Sequence, residues 1–350
     1  MSSEEEGHTY AEAGVDIEAE QRAIAALTRW LGKTLEFRRE EVLDVGGHYA
    51  GIYRLGDGRV LSISTDGVGS KLMIARMMSK FDTVGIDLVG MLANDIVSVG
   101  STPVAMVDYI AVERSDPTLL QEVGKGLYEG CRQAGMVVLG GETATLPEIV
   151  RDFDLAGTVV GLCREDDLVL GSEIQEGDAV IGLASSGLHS NGYTLARKVF
   201  FTWNSYSPHD PLPTDTSRTI GESLLVPTRI YVRTVLDVLK EVRPHGLAHI
   251  TGGGLTNLRR LKRGIGYSLE EWFAIDPVFV AIQRLGNVNW REMYRTFNMG
   301  VGFVIVVDPA DAQSVVDICR TAGQEARVLG STFEDPDQRI IVKKPHRIVL

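Results

Sequence analysis

Asp66 is the first candidate for a chemical role. It follows a predicted strand in the segment SISTDGVGSK, residues 62–71, and glycines come directly after it. A carboxylate with open space beside it suits Mg²⁺, which binds oxygen ligands. The segment is not a P-loop of the form G-x-x-x-x-G-K-[ST], because Ser70 precedes Lys71 and an aspartate leads the motif. An Asx turn, in which Asp66 only organises the loop, is the alternative. The segment alone leaves both interpretations open.

A second polar group lies on one face of the next long predicted helix. Asp87, Asn94 and Asp95 are spaced i, i+7 and i+8, which brings their side chains to the same side. Burying two carboxylates and an amide on an otherwise apolar helix is costly without partners, and a metal ion with its phosphates would supply partners. A solvated polar face is the alternative, but such a face usually carries Lys and Glu, which are missing here. Asp108, in the next apolar strand, is a further acidic candidate.

Several glycine-rich loops adjoin predicted strands and could bind phosphate through backbone N–H groups. Tight turns explain most glycine pairs, but five such loops are hard to assign entirely to turns. Their candidate residues are Gly46, Gly47 and Gly51; Gly67 and Gly69; Glu142, after Gly140 and Gly141; Ser186, Gly187, His189, Ser190 and Asn191; and His249, Thr251, Gly252 and Gly253. For His249, a catalytic or substrate-contact role and a structural role both remain open. No H-E-x-x-H spacing occurs in the sequence.

Composition limits the classes of function. The chain has 350 residues, 44% of them hydrophobic, and a net charge of −12, which argues against general nucleic-acid or membrane-surface binding. No run approaches the roughly 18 apolar residues of a membrane span, and the acidic start MSSEEEGHTY is unlike a signal peptide. The three cysteines, Cys131, Cys163 and Cys319, are far apart, which favours a reducing cytoplasm.

Strands and helices are interspersed along the chain, which predicts a mixed α/β protein with two α/β domains. Residues 1–9 are predicted to be a flexible tail, and residues 16–34 an amphipathic helix. Polarity rises in REDDLVLGSEIQEGD, where we place the domain boundary. The predicted domains are therefore residues 10–168 and residues 169–350.

Eight segments, in order, resemble the phosphoribosylformylglycinamidine cyclo-ligase family of the AIR synthetase-like ATP-binding superfamily. They extend from residue 10 to about residue 344: YAEAGVDI, STDGVGSK, GIDLVGMLANDI, GCRQAGMVVLGGETATLP, LASSGLHSNGYTLAR, LLVPTRIY, HITGGGL and EMYRTFNMGVG. Pieces such as DGVG and ND occur across the superfamily, whereas the ordered set is specific to this family.

The resemblance implies a homodimer in which N-terminal strands of both subunits close a β-barrel, with residues 10–168 as the ATP-binding and dimerisation domain. It implies an ATP-dependent ring closure in purine biosynthesis, from formylglycinamidine ribonucleotide to aminoimidazole ribonucleotide. ATP would phosphorylate the formyl oxygen, and the amidine nitrogen would then attack. ATP and Mg²⁺ are the implied cofactors, with K⁺ as a further candidate ion.

Site residues are carried over by position. Asp66, Asn94 and Asp95 would hold Mg²⁺–ATP, and Lys71 would neutralise a phosphate. His249, Asp66 and Lys71 form the expected catalytic set. Further expected nucleotide contacts are Lys33, Gly46, Gly47, Gly51, Gly67, Gly69, Asp87, Asp108 and Glu142. Expected substrate contacts are Ser186, Gly187, His189, Ser190, Asn191, Thr251, Gly252, Gly253, Arg295 and Asn298.

Two positions depart from the family pattern. The glycine-rich loop is GGHYAG, with His48, where bacterial members have a shorter GGFGG-like loop, and Ser70 stands where Thr is usual. The loop is therefore the least secure of the expected nucleotide contacts.

Other superfamily enzymes are the nearest alternatives. A selenophosphate synthetase would carry an early cysteine, a hydrogenase-maturation dehydratase a C-terminal cysteine, and a thiamine-phosphate kinase lacks HSNG and RTFN. A non-catalytic nucleotide-binding subunit is the alternative from another class. Retention of Asp66, Asn94, Asp95 and His249 argues against that subunit.

Overall fold

The computed structural model describes the backbone of residues 17–350 and the side chains of residues 22–350. The predicted tail, residues 1–9, lies outside the described residues. Two large sheets with packed helices form the described part, which confirms the predicted mixed α/β class. None of the described helices has the length and apolar composition needed to cross a bilayer.

The first sheet has six strands in the order β1-β2-β3-β6-β4-β5, all antiparallel except the β4–β5 pair. Its strands are β1 Val42–Leu43, β2 Gly51–Arg54, β3 Arg59–Gly67, β4 Thr102–Val112, β5 Val137–Thr145 and β6 Phe153–Arg164. The accompanying helices are α1 Ile17–Leu31, α2 Lys71–Met78, α3 Val84–Val97 and α4 Pro117–Ala134.

The second sheet has seven strands in the order β10-β12-β7-β13-β11-β14-β15, and β8 and β9 form a separate hairpin. Its strands are β7 Ala179–Ala184, β10 Gly246–His249, β11 Ile265–Leu269, β12 Val301–Val307, β13 Ala326–Glu334, β14 Ile340–Val342 and β15 Ile348–Val349; the hairpin is β8 Pro211–Leu212 and β9 Asp215–Thr219. Its helices are α5 Tyr193–Arg197, α6 Ile220–Leu224, α7 Val232–Glu241, α8 Pro277–Leu285, α9 Trp290–Thr296 and α10 Ala312–Thr321.

Helix α3 covers the inner face of the first sheet. Its residues Leu88, Leu92 and Ile96 are completely buried, and their apolar area supplies much of the local stability because burial of such side chains is worth about 1.5–3 kcal/mol each. A Cβ atom at Gly161 of β6 would lie 2.3 Å from Cγ2 of Ile96. Glycine is therefore required at residue 161 for this helix to approach the sheet so closely.

The N-terminal helix differs from its prediction. The α-helix ends at Leu31, and a 3-10 helix continues from Gly32 to Arg38. Both helices end before strand β1, and the side chains of residues 22–38 are exposed. Glycine at residue 32 has a weak helix propensity, which explains why the α-helix stops before the predicted end at residue 34.

Candidate functional site

Asp66 lies at the C-terminal end of β3, opposite Gly157 of β6. Its Oδ1 atom accepts a hydrogen bond from the N–H of Gly67 at 2.7 Å. Burial raises the pKa of Asp66, and the nearby charge of Asp95 raises it further. Asp66 lies on the same face of β3 as Ser64, which bonds Asp95, so the strand and the helix bring the two carboxylates to one side of the sheet.

Asp95 is contributed by α3 and contacts residues from both sheets. Its Oδ1 lies 2.9 Å from Nδ1 of His249, the last residue of β10, and its Oδ2 accepts a long hydrogen bond from Ser64 at 3.4 Å. His249 is completely buried, whereas the Asp95 side chain keeps 15% of its surface exposed. The exposed part of the Asp95 carboxylate can therefore contact a ligand, while the buried His249 ring holds the carboxylate from the protein interior.

Asn94 fixes the protonation pattern of His249. Its Oδ1 accepts the N–H of Tyr231 at 2.8 Å, and its Nδ2 donates to the carbonyl of Arg229 at 2.8 Å. These two backbone bonds define the amide orientation, so the second Nδ2 hydrogen faces Nε2 of His249 at 3.4 Å. Nε2 is thus the acceptor, and in neutral His249 the proton is on Nδ1, where it is donated to Asp95.

The satisfied amide also bears on the expected metal role of Asn94. The side chain is completely buried, and its oxygen already has a backbone donor. In this conformation the Asn94 amide oxygen is bonded to the backbone of Tyr231 and is not open to a metal ion. The contacts instead make Asn94 an organiser of the His249 ring.

Lys71 and Asp87 form a buried ion pair that joins the two halves of the chain. The Lys71 Nζ lies 2.8 Å from Oδ1 of Asp87 and also donates to the carbonyls of His189 at 3.0 Å and Val226 at 2.7 Å. Both charged side chains have no exposed surface. Burial lowers the pKa of Lys71, and Asp87 opposes that shift. All three ammonium hydrogens are used inside the protein, so neutralising a phosphate would require these bonds to break.

Asp87 has a second set of partners in the later half of the chain. Its Oδ1 accepts from the backbone N–H and the hydroxyl of Thr228, both at 2.7 Å, while its buried Oδ2 has no hydrogen-bond partner in the described part of the chain. The sequence-based interpretation placed Asp87 beside the nucleotide. The structure shows a carboxylate that links α3 to the segment following Val226.

The loop after β7 contains five of the expected substrate contacts. His189 adopts a left-handed conformation with φ of 61°, and its Nε2 accepts the N–H of Ser186 at 3.3 Å. Burial lowers the pKa of His189 well below its ordinary value, and the positive charges of nearby residues act in the same direction. The ring is therefore neutral in this conformation, and its buried Nδ1 has no hydrogen-bond partner among the described residues. Ser186 and Ser190 bind Pro227 and Thr228 through their hydroxyl groups.

Asn298 holds this loop from the segment between α9 and β12. Its Oδ1 accepts from the Ser185 hydroxyl and from the N–H of Gly300, and its Nδ2 donates to the carbonyl of Gly187. The side chain is almost completely buried. Asn298 therefore shapes the loop through both its amide oxygen and its amide nitrogen, whereas Arg295 in α9 is exposed.

The loop after β10 lies against the loop after β7. A Cβ atom at Gly252 would be 3.1 Å from Oδ1 of Asn191. Thr251 is fixed by its N–H, which donates to Oδ1 of Asn257 at 2.8 Å, and Gly253 has a φ of 93° at the start of the 3-10 helix Gly254–Arg260. The structure thus brings together the two predicted substrate loops.

The carboxylate pair meets the requirements of a magnesium site shared with a ligand. Mg²⁺ is usually held by one or two carboxylates together with substrate phosphates and water. Asp66 and Asp95 supply such carboxylates on one side of the first sheet, and a cation would offset their negative charges. Among residues 22–350, no three His, Cys, Asp or Glu side chains form a group that could hold a metal ion by themselves. The described residues therefore fit an ion that shares its ligands with phosphates.

Comparisons with known proteins identify the family. The AIR synthase related protein N-terminal domain matches residues 47–163, and the corresponding C-terminal domain matches residues 175–343. A phosphoribosylformylglycinamidine cyclo-ligase from Methanobrevibacter smithii is 45% identical over 336 residues, covering 96% of this chain and 97% of the relative. One from Methanothermobacter thermautotrophicus is 47% identical over 327 residues, covering 93% and 94%. The chain belongs to the phosphoribosylformylglycinamidine cyclo-ligase family.

A solved structure shows the same fold outside this family. The hydrogenase maturation protein HypE in complex with ATP superposes with a TM-score of 0.60 at 17% identity, covering 83% of each chain. Identity at this level supports the shared fold only. The alternative of a hydrogenase-maturation enzyme is therefore much weaker than membership of the cyclo-ligase family.

Three further residues that the cyclo-ligase resemblance predicts to contact the nucleotide have no direct bond to the carboxylate pair within the described residues. The Lys33 ammonium lies 3.9 Å from the Trp30 ring centroid in the exposed 3-10 helix. Glu142 is exposed on β5, and Asp108 of β4 is opposite Gly141, with a pKa raised by burial. Within residues 22–350, no hydrogen bond or ion pair joins these three side chains to Asp66 or Asp95.

Sequence reasoning missed the part played by the segment LLVPTRIY. Carbonyls or N–H groups of residues 226–231 bind Lys71, Asp87, Asn94 and Ser186. The segment belongs to the motif set of the cyclo-ligase family, but its contacts are mostly through the backbone, which leaves little trace in residue type. Only the proline and threonine hinted at a fixed turn.

Proposed function

We propose that this chain catalyses the ATP-dependent ring closure of formylglycinamidine ribonucleotide to aminoimidazole ribonucleotide, ADP and phosphate, in purine biosynthesis. The observation that carries the proposal is 45–47% identity, over more than nine tenths of the chain, to relatives named phosphoribosylformylglycinamidine cyclo-ligase. The Asp66–Asp95 pair supports it independently, because phosphoryl transfer requires charge neutralisation and positioning rather than a protein nucleophile.

ATP and Mg²⁺ are the proposed cofactors, with K⁺ as a further candidate ion. The fold shared with a hydrogenase maturation protein solved with ATP supports nucleotide binding. Asp66 and Asp95 would hold Mg²⁺ together with the nucleotide phosphates, and the ion would neutralise charge on the transferred phosphoryl group. The glycine-rich loop with Gly46, Gly47 and Gly51, and the turn with Gly67 and Gly69, would contact the nucleotide.

The proposed reaction has two steps. The formyl oxygen attacks the γ-phosphorus of ATP, and the bond from that phosphorus to the bridging oxygen of ADP breaks. The amidine nitrogen then attacks the former formyl carbon, loses a proton, and displaces phosphate as the imidazole ring closes. A neutral amide oxygen is a poor leaving group, which is why ATP must be consumed chemically.

The protein residues would act mainly by position. Asp95 would be oriented by the proton donated from Nδ1 of His249, and His249 by the amide of Asn94. His249 and Asn94 are thus positioning residues in this proposal, since both are completely buried. Lys71, with its bonds to Asp87 and two carbonyls, would fix the distance between the nucleotide and substrate halves of the cleft.

The substrate would bind between the loops after β7 and β10. The proposed contacts are Ser186, Gly187, His189, Ser190, Asn191, Thr251, Gly252, Gly253 and Arg295, with Asn298 acting through Gly187. Contact between Asn191 and Gly252 supports a single pocket formed by both loops. Arg295 is the exposed cation of this set and would meet the substrate phosphate.

A homodimer that joins the first sheets of two subunits is part of the proposal. The outer face of this sheet carries exposed Ile63, Val107 and Tyr109, and the edge strand β5 exposes Val137 and Leu139. A contiguous apolar face of this kind is characteristic of an interaction surface. Pairing of two such faces would close the expected β-barrel.

We also propose the domain division at residues 168 and 169 and a cytoplasmic location.

The proposal is tested by incubating the full chain with Mg²⁺–ATP and formylglycinamidine ribonucleotide and measuring ADP and the diazotisable aminoimidazole. We expect equimolar products, and loss of both with Asp95→Asn. Asp237→Asn is the matched control, because the Asp237 side chain is 47% exposed on helix α7 and forms an ion pair with nearby Lys240. ATP hydrolysis without aminoimidazole would contradict the proposed substrate.

A further inference from the structure

The glycine-rich loop brings two polar side chains into the protein. Gly46 and Gly47 have φ values of 62° and 82°, and a Cβ atom at either would meet no atom within 4 Å. These two consecutive left-handed residues turn the chain. The glycines lie on the open side of the turn, and the side chains of His48 and Tyr49 point toward the protein interior. Tyr49 is only 6% exposed. The loop thus has an open glycine side and a buried aromatic side.

Within residues 22–350, three buried polar atoms of this loop have no hydrogen-bond partner: the hydroxyl of Tyr49 and both ring nitrogens of His48. The two rings pack edge to face with centroids 5.4 Å apart. Leaving a buried donor or acceptor unpaired costs about 1–3 kcal/mol. Native proteins retain such atoms where a ligand completes their bonding, which makes this cluster a candidate contact site.

The charges around the cluster indicate an anionic ligand. The Arg260 guanidinium carbon lies 5.1 Å from the Tyr49 ring centroid, and the described residues provide Arg260 with no carboxylate partner within ion-pair distance. Burial lowers the pKa of His48 to about 4, and the Arg260 charge acts in the same direction. Burial also raises the pKa of Tyr49; Arg260 opposes this shift, and the nearby charge of Asp95 adds to it. At neutral pH the cluster therefore offers a hydroxyl donor, one imidazole N–H and a fixed positive charge.

The same contacts locate the cluster beside the carboxylate pair. Arg260, which lies over the Tyr49 ring, ends the 3-10 helix that follows His249 and its glycines, and His249 contacts Asp95 at 2.9 Å. The cluster therefore joins the glycine-rich loop to the opposite wall of the cleft. A phosphoryl group bound on one side through Asp95 and a metal ion would meet the cluster on its other side.

We propose that His48, Tyr49 and Arg260 form a binding site for an anionic phosphoryl oxygen next to Asp95. The Tyr49 hydroxyl and one N–H of His48 donate to that oxygen, and Arg260 neutralises it from the other wall. This inference rests on the proposed function for the source of the phosphoryl group. The oxygen belongs either to the nucleotide or to the phosphate ester of the second substrate, and both sources share the same chemistry.

Binding measurements on the full chain separate the two sources. Isothermal titration with Mg²⁺–ATP, and separately with formylglycinamidine ribonucleotide, gives each Kd without turnover. We expect Tyr49→Phe and Arg260→Gln each to raise one of these Kd values about tenfold, as expected for a lost charge-assisted hydrogen bond. Arg260→Lys, which keeps the charge, should retain most of the affinity. A change confined to Mg²⁺–ATP assigns the nucleotide, and a change confined to the ribonucleotide assigns the ester; either result supports the site.

Matched controls distinguish a phosphoryl site from a general structural role. Tyr53→Phe removes a hydroxyl from a half-buried tyrosine of the neighbouring strand β2 and should leave both Kd values unchanged. Adenosine, which has no phosphate, should bind the wild type and Tyr49→Phe equally. Unchanged Kd values in both Tyr49→Phe and Arg260→Gln would overturn the proposal, as would equal weakening of adenosine. Because these readouts need no turnover, they remain decisive even when the wild type forms no aminoimidazole, a result that would refute the proposed function instead.

Discussion

The Nδ1 atom of His249 lies 2.9 Å from Oδ1 of Asp95 and joins the end of β10 to helix α3. The two residues are 154 positions apart, so the bond forms only when the second sheet packs on the first domain's helix. The amide of Asn94, on the other side of the ring, makes Nδ1 the donor. Packing of the two halves therefore orients the partly exposed carboxylate of Asp95.

Loss of the His249 donor should weaken the metal-dependent step. Removing a group that orients a metal-binding side chain typically costs 10–100-fold in affinity or activity. We expect His249→Ala to lower kcat about that much and to raise the Mg²⁺ concentration for half-maximal activity, while His249→Asn, with an amide donor near the Nδ1 position, recovers part of the loss. Steady-state kinetics across a Mg²⁺ titration measures both values. His209→Ala, at an exposed histidine, is the control, and an unaltered Mg²⁺ dependence in His249→Ala would contradict the orienting role.

The buried pair Lys71–Asp87 should dominate the electrostatic contribution to stability. Breaking such a pair leaves an uncompensated charge and typically costs 3–5 kcal/mol. We expect Lys71→Met to lower the free energy of unfolding by about that much, and the double variant Lys71→Met/Asp87→Asn to be more stable than Lys71→Met alone. Urea unfolding followed by circular dichroism measures the cycle.

The exposed pair Lys80–Asp82 provides the comparison for this cycle. Its side chains keep 51% and 39% of their surface exposed. Exposed pairs contribute about 0–1 kcal/mol, so Lys80→Met should change the unfolding free energy by less than Lys71→Met does. Similar losses for the two substitutions would show that Lys71 is not held as a charged, buried group.

His48 should make folding sensitive to acid. Burial depresses its folded-state pKa to about 4 from 6.5, so the unfolded chain binds a proton between these values while the folded chain does not. Its stabilising effect is fully present above pH 6.5 and is lost as the pH falls toward 4. By this linkage, His48 accounts for about 2 kcal/mol of stability lost between pH 7.5 and pH 5. His48→Phe should lose correspondingly less over that interval in urea unfolding; parallel pH profiles for the two proteins would contradict the assignment.

A charge on the outer face of the first sheet should prevent dimerisation. Val107, in the middle of β4, is 46% exposed on this face, and Val328, in β13 of the second sheet, is 40% exposed. We expect Val107→Asp to shift sedimentation velocity profiles from dimer to monomer, because an ionised carboxylate is costly to bury between apolar faces. Val328→Asp should leave the dimer intact. A wild type that sediments as a monomer would exclude this interface.

Local patterns were sufficient for the fold class, and they made Asp66 and Asp95 candidate metal ligands. Alternation of buried and exposed residues in β3, and the apolar helix that follows, are readable because strand and helix periods differ. Asp66 after a strand and Asp95 on a helix face were recognisable by residue type. Asp95 keeps part of its carboxylate exposed, whereas Asn94 is buried and orients the His249 ring. Both roles depend on contacts with residues 229–249 that no local pattern specifies.

Lys71 shows why the remaining site could not be read from the sequence. A lysine that ends a glycine-rich motif favours phosphate binding as a local interpretation. Its observed partners are a carboxylate 16 residues away and two carbonyls more than 100 residues away. Backbone acceptors of this kind carry no residue-type signal. The same holds for Tyr49 and Arg260, whose proximity follows from the packing of a loop on a distant 3-10 helix.

The most direct test of the central claim follows the formyl oxygen itself. Formylglycinamidine ribonucleotide labelled with ¹⁸O in the formyl group is converted by the full chain with unlabelled Mg²⁺–ATP, and the phosphate is analysed by mass spectrometry. Since the account transfers the γ-phosphoryl group to this oxygen, one ¹⁸O should appear in phosphate for each aminoimidazole formed. Label released into water, with unlabelled phosphate, would contradict phosphorylation of the formyl oxygen as the step that closes the ring.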